Sequence, residues 1–219
     1  LPAFVDAARL LNIRGCSITI PHKIDIIPLL DKTSENVREM GACNTLYRDG
    51  EKICGENTDV IGFTAPLRKR SLPPETRVLV LGAGGVSRAA IAGLRRLGLA
   101  NITLTNRRKE RAEALCNEFG LLCAPWEERG DVPADLIINT TPLGMTGAQE
   151  HETPYPWAFQ DNGIAYDLIY TPFQTRFLRD AAAAGWETVS GLDMFIGQGD
   201  AQFHLWTGHH LPEEAITAV

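Results

Sequence analysis

Arg77-Val-Leu-Val-Leu-Gly-Ala-Gly-Gly-Val-Ser-Arg88 is the stretch that decides how this 219-residue chain folds. A β-rich run over 77–81 feeds a Gly82-x-Gly84-x-x-Ser87 turn, and a helical pattern begins at once. A strand, a glycine turn and a helix in that order bring backbone N–H groups and a helix N-terminus onto a pyrophosphate. Gly82 allows the tight turn, Gly84 lets the phosphates approach the backbone, and Ser87 fills the third small position where helix packs on strand. Ala83, Gly85 and Val86 complete the loop. The spacing alone is a weak signal, and its strand–turn–helix context makes it a dinucleotide site.

The next strand pattern, near 101–105, ends in Asn106, Arg107 and Arg108, with Arg111 one helical turn further on. An NAD-binding chain usually carries a carboxylate here for the ribose 2′-OH. A carboxylate repels a 2′-phosphate, whereas a guanidinium grips it bidentately. These residues therefore point to NADP(H) over NAD(H). The alternative is a solvated basic helix start, since Lys109 and Glu110 extend the charge run.

From 77 onward strands near 77–81, 101–105, 135–139, 164–168 and 187–190 alternate with helical patterns. That alternation predicts an α/β fold with a parallel, doubly wound sheet of Rossmann type. Leu72-Pro73-Pro74-Glu75 reads as a linker ahead of it. Upstream, residues 2–12 read as an amphipathic helix with Phe4, Ala7, Ala8 and Leu11 on one face. Residues 16–20 read as a strand meeting Pro21, and 22–40 as a helix interrupted at Pro28. Strands flank an Asp49-Gly50 hairpin turn, a helix starts near Val60, and 192–206 form a last helix. The N-terminal unit reads as thin, as if the sequence began inside a domain with a βα-sized piece of about 30 residues missing.

Hydrophobic content of 44%, charged content of 22% and a net charge of −6 describe an ordinary soluble chain and disfavour nonspecific nucleic-acid binding. No apolar run is long enough for a membrane span, and no signal peptide is evident. The five cysteines lack a Cys-x-x-Cys pair, so reduced thiols in a cytoplasmic protein are expected and no metal site is. His151, His204, His209 and His210 read as surface or helix-end residues.

Lys23 follows the Thr19-Ile20-Pro21-His22 strand end, and Asp59 sits where the hairpin hands over to a helix. Taken singly, the lysine is a surface charge and the aspartate an N-cap. Together with their neighbours they read differently. Gly15-Cys-Ser-Ile-Thr-Ile-Pro-His-Lys23, Gly41-Ala-Cys-Asn44-Thr45, Asn57-Thr58-Asp59 and the glycine loop resemble the shikimate dehydrogenase family. Asn106-Arg107, Ile138-Asn-Thr-Thr-Pro-Leu-Gly-Met145, Tyr166-Asp-Leu-Ile-Tyr170 and Gly191-Leu-Asp-Met-Phe-Ile-Gly-Gln198 extend the resemblance over essentially the whole chain.

The resemblance implies NADPH-dependent, reversible reduction of 3-dehydroshikimate to shikimate, a step toward chorismate and the aromatic amino acids. It implies Lys23 and Asp59 as the catalytic pair. It also implies substrate contacts from Ser17, Thr19, Asn44, Asp59, Tyr170 and Gln198. Cofactor contacts are implied from Gly82 through Val86, from Asn106, Arg107, Arg108 and Arg111, and from Thr140, Thr141, Pro142, Leu168 and Gly191. The implied organisation is a substrate-binding and catalytic lobe over 1–60, a cofactor lobe over 61–190, and a helical segment over 191–219 that returns to the first lobe. The partners implied are a small-molecule substrate and, for the chain itself, a monomer or homodimer. The chain departs from the family in lacking its N-terminal strand–loop segment with a Ser-x-Ser pair, in Ser17 where Asn is usual, and in Arg108 where Thr is common. A quinate/shikimate dehydrogenase, or a catalytically impaired NADP-binding paralogue or fragment, is the alternative. A folate-type methylene dehydrogenase is disfavoured by the Asn-Thr-Asp motif and Gln198.

Overall fold

The computed structural model describes residues 1–19 and 21–217 and divides into two compact units, Leu1–Phe63 with Ile196–Val219, and Thr64–Phe195.

In the first unit, helix α1 (Pro2–Leu10) opens the chain and strand β1 (Gly15–Ser17) follows. Of the face expected from the pattern Ala8 is buried, but its buried companion is Val5, whose cluster Leu1 packs against, rather than Phe4 or Leu11. One residue of offset turns a helix face by about 100°, and Leu1 and Val5 are the residues of this helix that join the cluster of Ile18, Ile26, Val37, Leu46 and Ile53. Phe4 and Leu11 are left exposed. The strand expected over 16–20 pairs only as far as Ser17, and Ile20 lies outside the described residues.

The long helix expected over 22–40 does not form. Residues 21–26 make turns and Ile27–Leu29 a single 3₁₀ turn around Pro28, which has no N–H to continue a helix. Asp31 N–H then donates to Ile53 O and Ser34 N–H to Gly55 O. These bonds pull Lys32–Thr33 into the sheet as strand β2. Ser34 caps the short helix α2 (Glu35–Met40) through Val37 N–H, and Gly41 ends it in a left-handed conformation. Strands β3 (Thr45–Asp49) and β4 (Lys52–Glu56) form the expected hairpin, closed by Gly50 at φ 60°. The sheet order is β1-β3-β4-β2, antiparallel except for the parallel pair β2 and β4. Helix α3 (Thr58–Arg68) leaves this unit and continues into the second.

The second unit is a βα succession. It runs β5 (Val78–Leu81), α4 (Gly85–Arg96), β6 (Ile102–Thr105), α5 (Lys109–Phe119), β7 (Leu122–Cys123), β8 (Leu136–Asn139), β9 (Ile164–Asp167), α6 (Arg176–Ala183) and β10 (Glu187–Val189). All six strands are parallel in the order β10-β9-β8-β5-β6-β7. The order reverses between β5 and β8, the switch point at which open α/β sheets bind ligands beyond the strand carboxyl ends. β5 and β8 are buried at every position, as central parallel strands covered on both faces must be. Leu79, Leu81, Ile137, Phe159, Ala165, Phe177 and Trp186 make one core against this sheet. β2 and β7, of two residues each, carry too little pattern to be read from the sequence.

Helix α7 (Gly191–Thr207) belongs to the second unit up to Phe195 and to the first from Ile196, and α8 (Glu213–Thr217) follows. In the first unit α7 lies hard against β1. Trp206 Nε1 donates to Leu46 O at 2.9 Å, and a Cβ on Gly15 would come within 2.1 Å of that indole nitrogen. Among the described residues no helix is long and apolar enough to cross a membrane, and no group of three or more His, Cys, Asp or Glu is placed to hold a metal.

Candidate functional site

Two constellations carry chemistry, one in each unit. In the first, Lys23 Nζ lies 2.8 Å from Asp59 Oδ2, both side chains partly buried. The two residues come together because the segments bearing them are tied to the two residues that lead into β3. Cys43 N–H donates to Lys23 O at 2.7 Å, and Thr58 N–H donates to Asn44 Oδ1 at 2.8 Å. α3 begins at Thr58, so Asp59 sits inside its first turn rather than at the N-cap expected for a helix starting at Val60. Its carboxylate is thereby free to take Lys23 on one oxygen and Asn44 Nδ2 on the other, at 2.8 Å.

Asn44 is the hub of this network. Its Oδ1 accepts from Thr58 N–H and from Thr45 Oγ1, and its Nδ2 donates to Asp59 and Thr58 Oγ1. At 3% exposure its amide is held in one orientation by partners on every side. The network continues to Gln202 on α7, which donates to Thr45 Oγ1 at 2.9 Å and accepts from Ser17 Oγ at 2.8 Å. Gln202 and Thr58 were not singled out in the sequence. Gln202 lies one helical turn beyond Gln198, and that i, i+4 spacing was the available signal. Gln198 is partly exposed on the same helix. Thr19 is exposed beyond β1, and Tyr170, in the second unit, is exposed and stacks on Phe195 at 5.1 Å.

The second constellation is a cavity of about 280 Å³ at the switch point. It is lined by Gly82, Ala83 and Gly84 from the loop after β5, by Asn106, Arg107, Arg108 and Arg111 beyond β6, and by Thr140, Thr141, Pro142 and Leu143 beyond β8. Trp126 and Gln149 complete it, and neither they nor Leu143 were anticipated from sequence. Gly82 stands at φ 114°, and a Cβ there would lie 2.5 Å from Thr140 Oγ1, so only glycine closes this turn. A directed chain of bonds locks the loop. Gly84 N–H donates to Ser87 Oγ, Ser87 to Thr140 Oγ1 at 2.7 Å, and Thr140 to Leu81 O at 2.8 Å.

Asn106 ties the glycine loop to the arginines, accepting from Ala83 N–H and donating to Arg108 O. The amides of Gly82, Ala83 and Gly84 are thus already spent inside the protein. The amides at the first turn of α4, Gly85 and Val86, have no partner among the described residues, although these two residues do not line the cavity. Unpaired N–H groups at a helix start, beside three exposed arginines, fit a ligand with a pyrophosphate and a further phosphate. Leu168 and Gly191 also lie off the cavity. They pack on each other, a Cβ on Gly191 falling 2.6 Å from the Leu168 carbonyl carbon.

The far wall of the cavity is braced from behind. Asn139 Oδ1 accepts from both the N–H and the hydroxyl of Thr141, while its Nδ2 donates to Leu143 O and to Asp167 Oδ1. Asp167 is fully buried, and its other oxygen accepts from Thr175, the cap of α6. Burial raises its carboxyl to about 6, against the pull of the three hydrogen bonds from Thr175, Ile169 N–H and Asn139.

Comparison with known proteins places the chain among dehydrogenases. Residues 1–46 match the shikimate dehydrogenase substrate binding domain, 67–128 match shikimate / quinate 5-dehydrogenase, and 191–219 match the shikimate 5′-dehydrogenase C-terminal domain. Shikimate dehydrogenase (NADP(+)) of Pelobacter propionicus is 55% identical, the match covering 100% of this chain and 80% of that one. Shikimate 5-dehydrogenase of Thermus thermophilus, solved with NADP(H) and shikimate, is 37% identical with a TM-score of 0.85, covering 100% of this chain and 82% of that one. Quinate dehydrogenase of Corynebacterium glutamicum, solved with NAD, is 30% identical with a TM-score of 0.91, covering 100% and 81%.

Proposed function

The chain belongs to the shikimate dehydrogenase family, and we propose that it is an NADP-dependent oxidoreductase interconverting 3-dehydroshikimate and shikimate. The observation that carries this reading is the Lys23–Asp59 pair, at 2.8 Å and fixed in place by the buried Asn44.

When bound, the nicotinamide supplies or accepts the hydride. The chain's own residues manage the proton and the charge. Reduction of the ketone leaves negative charge on its oxygen, and the Lys23 ammonium stabilises that oxygen and protonates it. Asp59 holds the ammonium by one carboxylate oxygen while Asn44 occupies the other, so the lysine is aimed before substrate arrives. In the reverse direction neutral Lys23 takes the hydroxyl proton as hydride leaves the carbon. Ser17, Thr19 and Gln198 supply neutral donors and acceptors suited to the hydroxyls and carboxylate of the substrate, while Asn44, whose amide is engaged within the protein on both its oxygen and its nitrogen, serves by holding Asp59. The three arginines beyond β6 would hold the 2′-phosphate, and the unpaired amides at the first turn of α4 would receive the pyrophosphate.

The five free cysteines, Cys43 among the most buried, suit a reducing cytoplasmic setting, in which we expect the chain as a monomer or homodimer. The test is NADP⁺ reduction with shikimate and, separately, with quinate. Turnover confined to shikimate supports the assignment. Faster turnover with quinate moves the substrate, and binding of NADPH without turnover on either overturns the catalytic reading.

A further inference from the structure

A buried arginine with no carboxylate hydrogen-bonded to it among the described residues stands beside the dinucleotide cavity. Arg129, 7% exposed, lies in the 3₁₀ segment Trp126–Asp131. Its guanidinium carbon is 3.7 Å from the ring centroid of Trp126 and 4.5 Å from that of Trp157. Nε donates to Pro154 O at 2.6 Å and Nη1 to Trp126 O. The cation is held by two aromatic rings and two backbone carbonyls, the arrangement in which cation–π attraction is strongest because water is excluded. Burial lowers its guanidinium to about 10, so it stays protonated at neutral pH.

Trp126 has two neighbourhoods. It packs against the core of Leu79, Leu81 and Ile137, and it also lines the cavity that holds Arg107, Arg108 and Arg111. Topology says which end of a dinucleotide it meets. Trp126 enters directly after β7, the strand paired with β6, and β6 carries the three arginines beyond its carboxyl end. Thr140–Leu143 come from β8, on the other side of β5. The 2′-phosphate marks the adenosine end of the cofactor, so the wall on the arginine side of the sheet belongs to the adenine.

We propose that Trp126, braced by Arg129, is the surface on which the adenine ring of NADP(H) stacks. The inference rests on the reading of this cavity as the NADP(H) site. An indole offers a purine a broad π-face, and an arginine fixed on the ring removes the rotamer freedom that stacking would otherwise have to freeze. Arg129 is a positioning residue in this arrangement, and Trp126 the one in contact with ligand.

The experiment uses the whole chain and two probes, adenosine 2′,5′-bisphosphate and NADPH, measured by calorimetry and by indole fluorescence. Trp126→Leu keeps apolar volume in the core and removes the ring. It is expected to weaken both probes about tenfold, the loss falling on the KM for NADP⁺ rather than on kcat. Trp126→Phe is expected to hold affinity within about twofold while abolishing most of the fluorescence quenching caused by the bisphosphate. Arg129→Met is expected to weaken the bisphosphate with the same split between KM and kcat. Arg107→Asp serves as the control. If it weakens NADPH while Trp126→Leu binds both probes like the wild type, the stacking proposal fails and the cavity assignment stands. If neither substitution changes NADPH affinity, the cavity assignment fails and takes the proposal with it. Should Trp126→Leu not fold, unchanged quenching in Trp126→Phe overturns the proposal by itself.

Discussion

Replacing Asp167 by Asn is expected to change how the stability of this chain depends on pH. Asp167 is fully buried at the end of β9, with hydrogen bonds from Asn139, Thr175 and Ile169 N–H and no ion pair among the described residues. Three donors stabilise its anion, but desolvation outweighs them and raises the carboxyl from 3.8 to about 6. Its protonated form is therefore favoured by folding. Between the two values the native state binds more protons than the unfolded chain, so stability falls as pH rises across that window. At about 1.4 kcal/mol for each tenfold change in proton affinity, ionising Asp167 in place costs about 3 kcal/mol, all of it present by about pH 7. Asn is nearly isosteric and keeps one oxygen to accept from Asn139 and Ile169, but it does not titrate. Urea unfolding of both proteins at a series of pH values measures the effect. The wild type should lose about 3 kcal/mol relative to Asp167→Asn between about pH 3.5 and about pH 6.5, with parallel curves above. Curves that run parallel throughout, or a wild type that gains on the variant as pH rises, would refute the reasoning.

Other substitutions probe the two constellations. Lys23→Ala is expected to lower kcat by about 10³-fold while NADPH affinity barely changes, and a near-normal rate would remove Lys23 from the chemistry. Arg107→Asp should weaken NADPH by about 2 kcal/mol, roughly thirtyfold, and leave NADH little affected, as competition binding of the two cofactors would report. Gly82→Ala places a methyl 2.5 Å from Thr140 Oγ1 at a φ of 114°, so NADPH affinity should drop at least about tenfold with about 1–3 kcal/mol of stability. Retained affinity in titration calorimetry would show that the loop tolerates a side chain there.

Legibility from sequence followed the distance over which each feature is encoded. The glycine loop, its strand and its helix are consecutive, and so are the Ser34 and Gly41 signals around α2, yet α2 itself was missed inside a longer helical pattern. There the hydrogen bonds from Asp31 and Ser34 to β4 overrode local propensity, as tertiary partners do. The face of α1 failed for a related reason. Phe4 and Leu11 satisfy helical spacing as well as Leu1, Val5 and Ala8 do, and only the shape of the facing sheet selects between them. The resemblance to the shikimate dehydrogenase family named Lys23 and Asp59, 36 residues apart, but no spacing rule would have joined them. Gln202 bonds Thr45 across 157 residues and was invisible to pattern.

Periodicity and turn chemistry act between near neighbours, so the α/β class, the parallel doubly wound sheet and the arginine-bearing tip beyond β6 could be read from the residues alone. That Asn44 is the hub holding Asp59 and that Trp126 reaches the cavity followed only from how the chain packs. So did the burial of Asp167 behind the Thr140–Leu143 loop. Each of those facts depends on which strands lie side by side, and strand order is set by the packing of the whole core rather than by any single segment.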